Sequence, residues 1–264
     1  MIITNKSDLS KVIDKIEKIA DQLQSEIEKN KSFKAVKNLL SAGITNVKTA
    51  KNELKTFILY LAPADTIGIV NVCPFASPGC KASCLYSAGR GRFTNVQESR
   101  INETKFWALD RANFYTQLTN EILKINSKAI KTGEKIAIRL NGTSDIDHID
   151  LISRFTGVDV LKLSNVIFYD YTKNPNHIKK YLNSNYKLTF SKAENNENKA
   201  LEILQAGGDV AVVFSGELPT KFNGFNVING DLTDLRYFDP ANVVVGLKAK
   251  GEAKKDKSGF VVVS

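Results

Sequence analysis

From Lys55 onward, short apolar runs rich in β-branched residues alternate with stretches whose apolar positions recur every three or four residues. That alternation predicts strands separated by helices, since side chains repeat every second residue along a strand and about every 3.6 along a helix. Strands are expected over 57–61, 66–70, 135–140, 166–169, 186–190, 209–214, 225–228, 243–247 and 260–263. A long helical region is expected over 95–131, carrying Ile101, Phe106, Leu109, Phe114, Leu118, Ile122 and Ile125, with shorter helices over 147–155, 176–182 and 194–206. The run Val210-Ala211-Val212-Val213-Phe214 lacks polar alternation, the mark of a strand covered on both faces. The fold class is therefore α/β with a parallel sheet, open or curled into a partial or full TIM-like barrel.

The first part of the chain has a different pattern. Leu9, Ile13, Ile16, Ala20, Leu23 and Ile27 alternate spacings of four and three between Lys and Glu, predicting an amphipathic helix over 7–30 with Ser7 as its N-cap. A second helix is expected over 32–42, stopped by Gly43. Residues 1–44 thus read as a helical appendage without chemistry of its own, and 45–264 as the α/β domain. The two helices would pack on that domain or pair between copies as an oligomer seam.

At 264 residues, 42% hydrophobic and 25% charged, the chain has the composition of a soluble globular protein. No apolar run approaches the roughly 20 residues of a membrane span, and Met1 to Lys6 lacks a signal-peptide core, so a cytoplasmic protein without a membrane partner is expected. The net charge of +9 admits nucleic acid as a partner, although the lysines are spread along the chain and surface solubility is the plainer explanation.

All three cysteines fall in one window, Cys73, Cys80 and Cys84, spaced C-x6-C-x3-C. Thiolates converging from one loop suit zinc, copper(I) or an iron–sulfur cluster. Pro74, Pro78 and Gly79 fit a folded-back loop, with Pro fixing φ and Gly admitting a positive φ. Buried free thiols are the structural alternative. A zinc site needs a fourth ligand, and the two histidines, His148 and His177, have no supporting spacing. A 4Fe-4S cluster on three thiolates would leave one iron open to a small ligand. The odd cysteine count and missing secretory segment speak against a disulfide.

Ligands of parallel α/β folds lie beyond the carboxyl ends of the strands, and the residues there are polar. The first set is Arg139, Asn141, Ser144 and Asp145, and the second Tyr169, Asp170, Tyr171 and Lys173. Ser191 follows, then Asp231, Asp234 and Arg236, and finally Lys248 and Lys250. Such a mouth suits a charged small ligand, with Tyr169, Tyr171 and Lys173 as candidates for proton or radical chemistry. Capping of the next helix by Ser144 or Asp145 is the alternative for those two.

In topology this arrangement resembles the radical S-adenosylmethionine enzymes, which carry a three-cysteine cluster loop after an early strand. Their spacing is C-x3-C-x2-C, and no glycine-rich, acid-ended strand here clearly matches their cofactor motif, which speaks against S-adenosylmethionine as a ligand. A closer likeness lies in Asn46 to Asn52, Cys73-Pro74-Phe75-Ala76, Cys80 to Leu85, Arg139 to Asp145, Phe168 to Lys173, Gly230 to Arg236 and Gly246 to Gly251. These segments resemble the bacteriophage gene-product-88 family from about Asn46 to the C-terminus. The resemblance implies a phage-encoded protein of the infected host's cytoplasm and brings no activity with it. Two functions stay open: an iron–sulfur redox or radical-type enzyme or cluster carrier, and a zinc-containing nucleic-acid-binding module.

Overall fold

The computed structural model describes residues 18–19, 32–43 and 54–264. The helix expected over 7–30 lies outside the described residues apart from Lys18 and Ile19, which are helical, as does the motif Asn46 to Asn52.

The architecture is a mixed α/β one. Ten strands share one sheet: β1 (Leu40–Ala42), β2 (Lys55–Leu59), β3 (Ile136–Arg139), β4 (Val166–Thr172), β5 (Tyr186–Ser191), β6 (Asp209–Phe214), β7 (Lys221–Phe222), β8 (Phe225–Asn229), β9 (Val244–Lys248) and β10 (Val261–Val262). Their order is β1-β2-β3-β4-β5-β6-β9-β8-β7, with β10 beside β6. From β2 to β8 the neighbours are parallel, while β1 and β7 add antiparallel edges. Among the described residues hydrogen bonding does not join β1 to β7, so the sheet is not closed by hydrogen bonds into a full TIM-like barrel. β6 pairs with β5 through Ser191↔Ala211, and β10 takes over the same edge at Val261↔Val213.

Within the described residues 54–264, six helices accompany the strands: α1 (Pro78–Ala82), α2 (Thr94–Leu109), α3 (Arg111–Thr132), α4 (His148–Thr156), α5 (Pro175–Tyr181) and α6 (Glu197–Gln205). The long helical region is two helices because Asp110 leaves helical geometry and its side chain caps α3, accepting from the Asn113 N–H at 3.3 Å. Gly133 ends α3 in the left-handed conformation at φ 68°. Phe114, Leu118 and Ile122, fully buried at a spacing of four, turn one stripe of α3 into the main core with Ile138, Phe168 and Leu140. Each such burial contributes about 2 kcal/mol. On α2 the expected stripe is displaced: Leu109 is exposed, and the buried positions are Arg100, Thr104, Phe106 and Trp107.

Three expectations give way to packing and turn chemistry. Residues 32–42 are not a helix; they run extended into β1, where Leu40 pairs with Leu59. The Glu121 carboxylate on α3 accepts the Leu39 and Leu40 N–H groups at 2.9 Å, and Phe33 stacks on Phe106 with centroids 4.8 Å apart. These long-range bonds replace the local ones a helix would have used. Residues 66–70 are turns rather than a strand: the Thr66 N–H donates to the Pro63 carbonyl, the Gly68 N–H to that of Asp65, and Gly68 has φ 72°. β4 runs on to Thr172 because Thr172 still pairs with Phe190, so Tyr169 and Tyr171 stand within the strand instead of beyond it.

Glu103 on α2 offers a test of the packing around β1. Burial raises its proton affinity, with a smaller push from Glu121, against the pull of Ser99 and Arg100, bringing it to about 7. The folded chain therefore keeps a proton that the unfolded chain releases above its ordinary carboxylate range. The stabilisation is complete below that range and is lost as pH rises through about 7. Glu103→Gln should raise the urea midpoint at about pH 8 and leave it near the parent at about pH 4. A difference that does not change with pH would refute the assignment.

Candidate functional site

The cysteine segment crosses the carboxyl ends of the strands between β2 and α2. Its entry is pinned to the loop after β3, where the Asp145 N–H donates to the Val72 carbonyl at 2.8 Å. The Cys73 sulfur accepts from the Ala64 N–H at 3.3 Å and lies 3.6 Å from the Thr143 carbonyl, to which its thiol donates. Ser77 caps α1, its Oγ accepting the Cys80 N–H at 3.1 Å. The Glu194 carboxylate, just past β5, holds this turn from the other side: it accepts from the Ser77 hydroxyl at 2.6 Å and the Gly79 N–H at 2.7 Å. Gly79 does not take a positive φ; it is required because a Cβ there would meet the Ser258 Oγ at 2.2 Å and the Phe260 Cβ at 2.8 Å.

The three thiols are part-buried and free of disulfides. Burial, with smaller pushes from Cys84, Asp145 and Cys80, raises Cys73 to about 12 against the pull of the Ala64 N–H. Burial also raises Cys84, while the positive charges of Arg100 and Lys173 act the other way. Asp145 thus acts on Cys73, and Arg100 and Lys173 act on Cys84. Among the described residues, no group of three or more His, Cys, Asp or Glu side chains is arranged to hold a metal ion.

Asp145, Lys173 and Ser191 meet beside this segment. Asp145 accepts from the Thr172 hydroxyl at 2.7 Å and the Lys173 N–H at 2.8 Å; burial nevertheless raises its proton affinity. The Lys173 ammonium donates to the Ser191 Oγ at 2.8 Å and lies 5.5 Å from the Phe260 ring centre. Asn141 and Ser144 shape the loop: the Asn141 Oδ1 accepts from the Ser144 hydroxyl at 2.8 Å and the Ile146 N–H at 2.9 Å. Neither Ser144 nor Asp145 caps α4. Asp147 does, accepting from the Asp150 N–H at 3.1 Å.

A second polar group forms among Arg139, Tyr169, Tyr171, Asp170 and Asp234. Arg139 bridges Asp170 at 3.3 Å and Asp234 at 3.0 Å, its guanidinium 4.9 Å from the Tyr171 ring centre. The Tyr169 hydroxyl donates to Asp234 at 3.3 Å. Tyr169 packs with Ala137, Ile167 and Leu235, while its neighbour Phe168 joins the helical core, so the pleat divides β4 between two faces. Burial raises both phenols above their ordinary range. Arg236 is buried and pairs with Asp239 at 3.1 Å. Asp231 accepts from the Lys248 N–H at 2.9 Å and the Lys250 ammonium at 2.7 Å, tying two further candidates into a surface pair.

His148 is fully buried, its Nδ1 3.1 Å from the Tyr115 hydroxyl, which accepts from the Trp107 indole at 2.8 Å. Burial lowers His148 to about 3, keeping it neutral. His177 stands 4.0 Å from both Asp145 and Asp147.

Arg100 and Glu194 were not legible as site residues. Arg100 sits inside a helix with its guanidinium 4.4 Å from the Tyr60 ring centre and 5.8 Å from that of Tyr86, and nothing in its helical spacing sets it apart. Glu194 lies three residues past the end of β5, where the strand-end rule, extended slightly, would have reached it.

These features define a mostly parallel α/β protein with three free, part-buried cysteines on one segment at the carboxyl ends of its strands. The chain belongs to the gene product 88 family, whose sequence profile matches residues 27–264. The match reaches back beyond Asn46 and includes β1, in keeping with the seat of 32–43 on the sheet. No curated protein and no solved structure matches the chain. No helix among the described residues is long and apolar enough to cross a membrane.

The Arg139 pair generates a stability prediction. Asp234→Ala leaves a buried guanidinium with one carboxylate where it had two, and should cost about 3 kcal/mol in denaturant unfolding. A loss below about 0.5 kcal/mol would show the pair to be marginal.

Proposed function

We propose that Cys73, Cys80 and Cys84 hold an iron–sulfur cluster of the 4Fe-4S type with one iron open to a small ligand, in a phage-encoded redox or radical-type enzyme of the host cytoplasm. The observation that carries this reading is that three part-buried, unbridged thiols lie on one segment at the carboxyl ends of parallel strands. The thiols' surroundings support the same reading. Arg100 and Lys173 oppose the negative charge that three thiolates would bring, and Asp145 is fixed by two donors beside Cys73. The cluster, when bound, would supply electron transfer or a Lewis-acidic iron. Lys173 would hold positive charge beside the ligand, and Asp145 would orient it or carry a proton. Ser191 keeps the Lys173 amine in position.

Protein reconstituted without oxygen should turn brown and carry acid-labile sulfide near one per iron. Cys→Ser at position 73, 80 or 84 should abolish or cripple the cluster, since each thiolate is irreplaceable. Stoichiometric zinc without sulfide, in protein made with ample iron, would leave the zinc-containing nucleic-acid-binding reading in its place.

Asp145→Asn and Lys173→Met should change the reduced cluster's magnetic spectrum, or its response to added small anions, while cooperative unfolding persists. Groups bordering a cluster set its potential and its ligand's orientation. Spectra identical to the parent's in both variants would remove these residues from the ligand's surroundings.

A further inference from the structure

The residues around the cysteines carry much of the chain's charge. The segments 79–93 and 250–258 hold seven Lys and Arg against two acidic residues, a net +5 of the chain's +9. Tertiary packing makes them one surface. A Cβ on Gly251 would meet the Ala88 Cβ at 3.1 Å, and one on Gly79 would meet Ser258 and Phe260, so the two turns touch at both points. The short 3-10 turn Gly251–Lys255 packs against the turn Leu85–Ser87.

Three of these cations are engaged: Lys81 with Asp65 at 3.2 Å, Lys250 with Asp231 at 2.7 Å, and Lys255 with Glu252 at 3.1 Å. Arg90, Arg92, Lys254 and Lys257 are exposed and make no ion pair among the described residues. Three large apolar side chains on or just before these turns are exposed. Leu85 is 60% exposed, Phe93 47% and Phe75 46%. The Arg92 guanidinium lies 5.8 Å from the Phe93 ring centre.

Unpaired cations interleaved with exposed aromatic rings form the chemistry that tracks a single-stranded nucleic acid, with phosphates on the cations and bases stacked on the rings. A folded acidic protein would meet the cations but has no flat bases for Phe75 and Phe93 to stack on. We infer that the face formed by residues 79–93 and 250–258, with Phe75 at its rim, binds single-stranded nucleic acid across the mouth of the cysteine site. The surface exists whatever the cysteines bind, so the inference does not rest on the cluster.

A fluorescent oligothymidylate of about 20 nucleotides, titrated with the full chain at several salt concentrations, tests it. The double variant Arg90→Glu/Arg92→Glu should weaken binding at least tenfold and flatten the salt dependence by about 0.7 for each phosphate no longer neutralised. Lys254→Glu/Lys257→Glu should act alike. Lys124→Glu/Lys128→Glu, the same charge change on exposed positions of α3, is the control and should weaken binding less than about threefold. Phe93→Ala should lower oligothymidylate affinity about tenfold while leaving heparin binding unchanged, because heparin has charge without bases. If the reversals disturb folding by circular dichroism, Arg90→Gln/Arg92→Gln takes their place. Equal losses in the test and control variants would overturn the proposal, as would oligothymidylate affinity that ignores Phe93→Ala, which would mark a generic polyanion or acidic-protein surface.

Discussion

The buried carboxylate of Asp170 is the constraint on which the candidate site depends. It has no solvent exposure, yet it accepts from the Leu140 and Asn141 N–H groups at 2.9 and 3.0 Å and from the Tyr186 hydroxyl at 2.9 Å, and pairs with Arg139. Burial pushes it up to about 6 against those partners, so it stays ionised at neutral pH. An ionised carboxylate this deep persists only when its lone pairs are met. Meeting them bends the backbone at the end of β3 into a defined turn. From that turn Asn141 organises Ser144 and Ile146, the Asp145 N–H reaches Val72, and the Thr143 carbonyl reaches Cys73.

The other end of the cysteine segment is held by different means. Glu194 supplies two acceptors to Ser77 and Gly79, and α1 sits so close to Ser258 and Phe260 that only glycine fits at position 79. Cys73 and Cys80 are thereby anchored from strands on opposite sides of the segment, β3 and β5. Apolar packing adds to these hydrogen bonds: Cys73 lies against the main core and Cys80 against Ala193, Ala249 and Phe260.

Polar residues beyond the strands sort into separate tasks. Asp145, Lys173 and Ser191 border the cysteines, and Arg139, Tyr169 and Asp234 bond to one another on the face of β4 that turns away from the helical core. Within β4 pleating turns Tyr169 and Tyr171 to one face and Asp170 and Thr172 to the other, while Lys173 lies past the end of the strand.

The sequence by itself determined the strand–helix alternation, the α/β class and the clustering of Cys73, Cys80 and Cys84, because side-chain periodicity and spacing are local properties. Asp110 as a helix break, the turns at 63–68 and the capping role of Asp147 were also written locally, though hydrophobic runs masked the first two. Tertiary structure alone decided that 32–43 joins the sheet as β1, that β4 continues through Tyr171 and that, among the described residues, hydrogen bonds do not close the sheet. It alone brought Arg100, Lys173 and Glu194 to the cysteines. Each of these outcomes depends on contacts between residues far apart in the chain, such as Glu121 with Leu39, Thr172 with Phe190, and Glu194 with Gly79. Their free energy depends on which partners the folded sheet presents, and no local pattern encodes that.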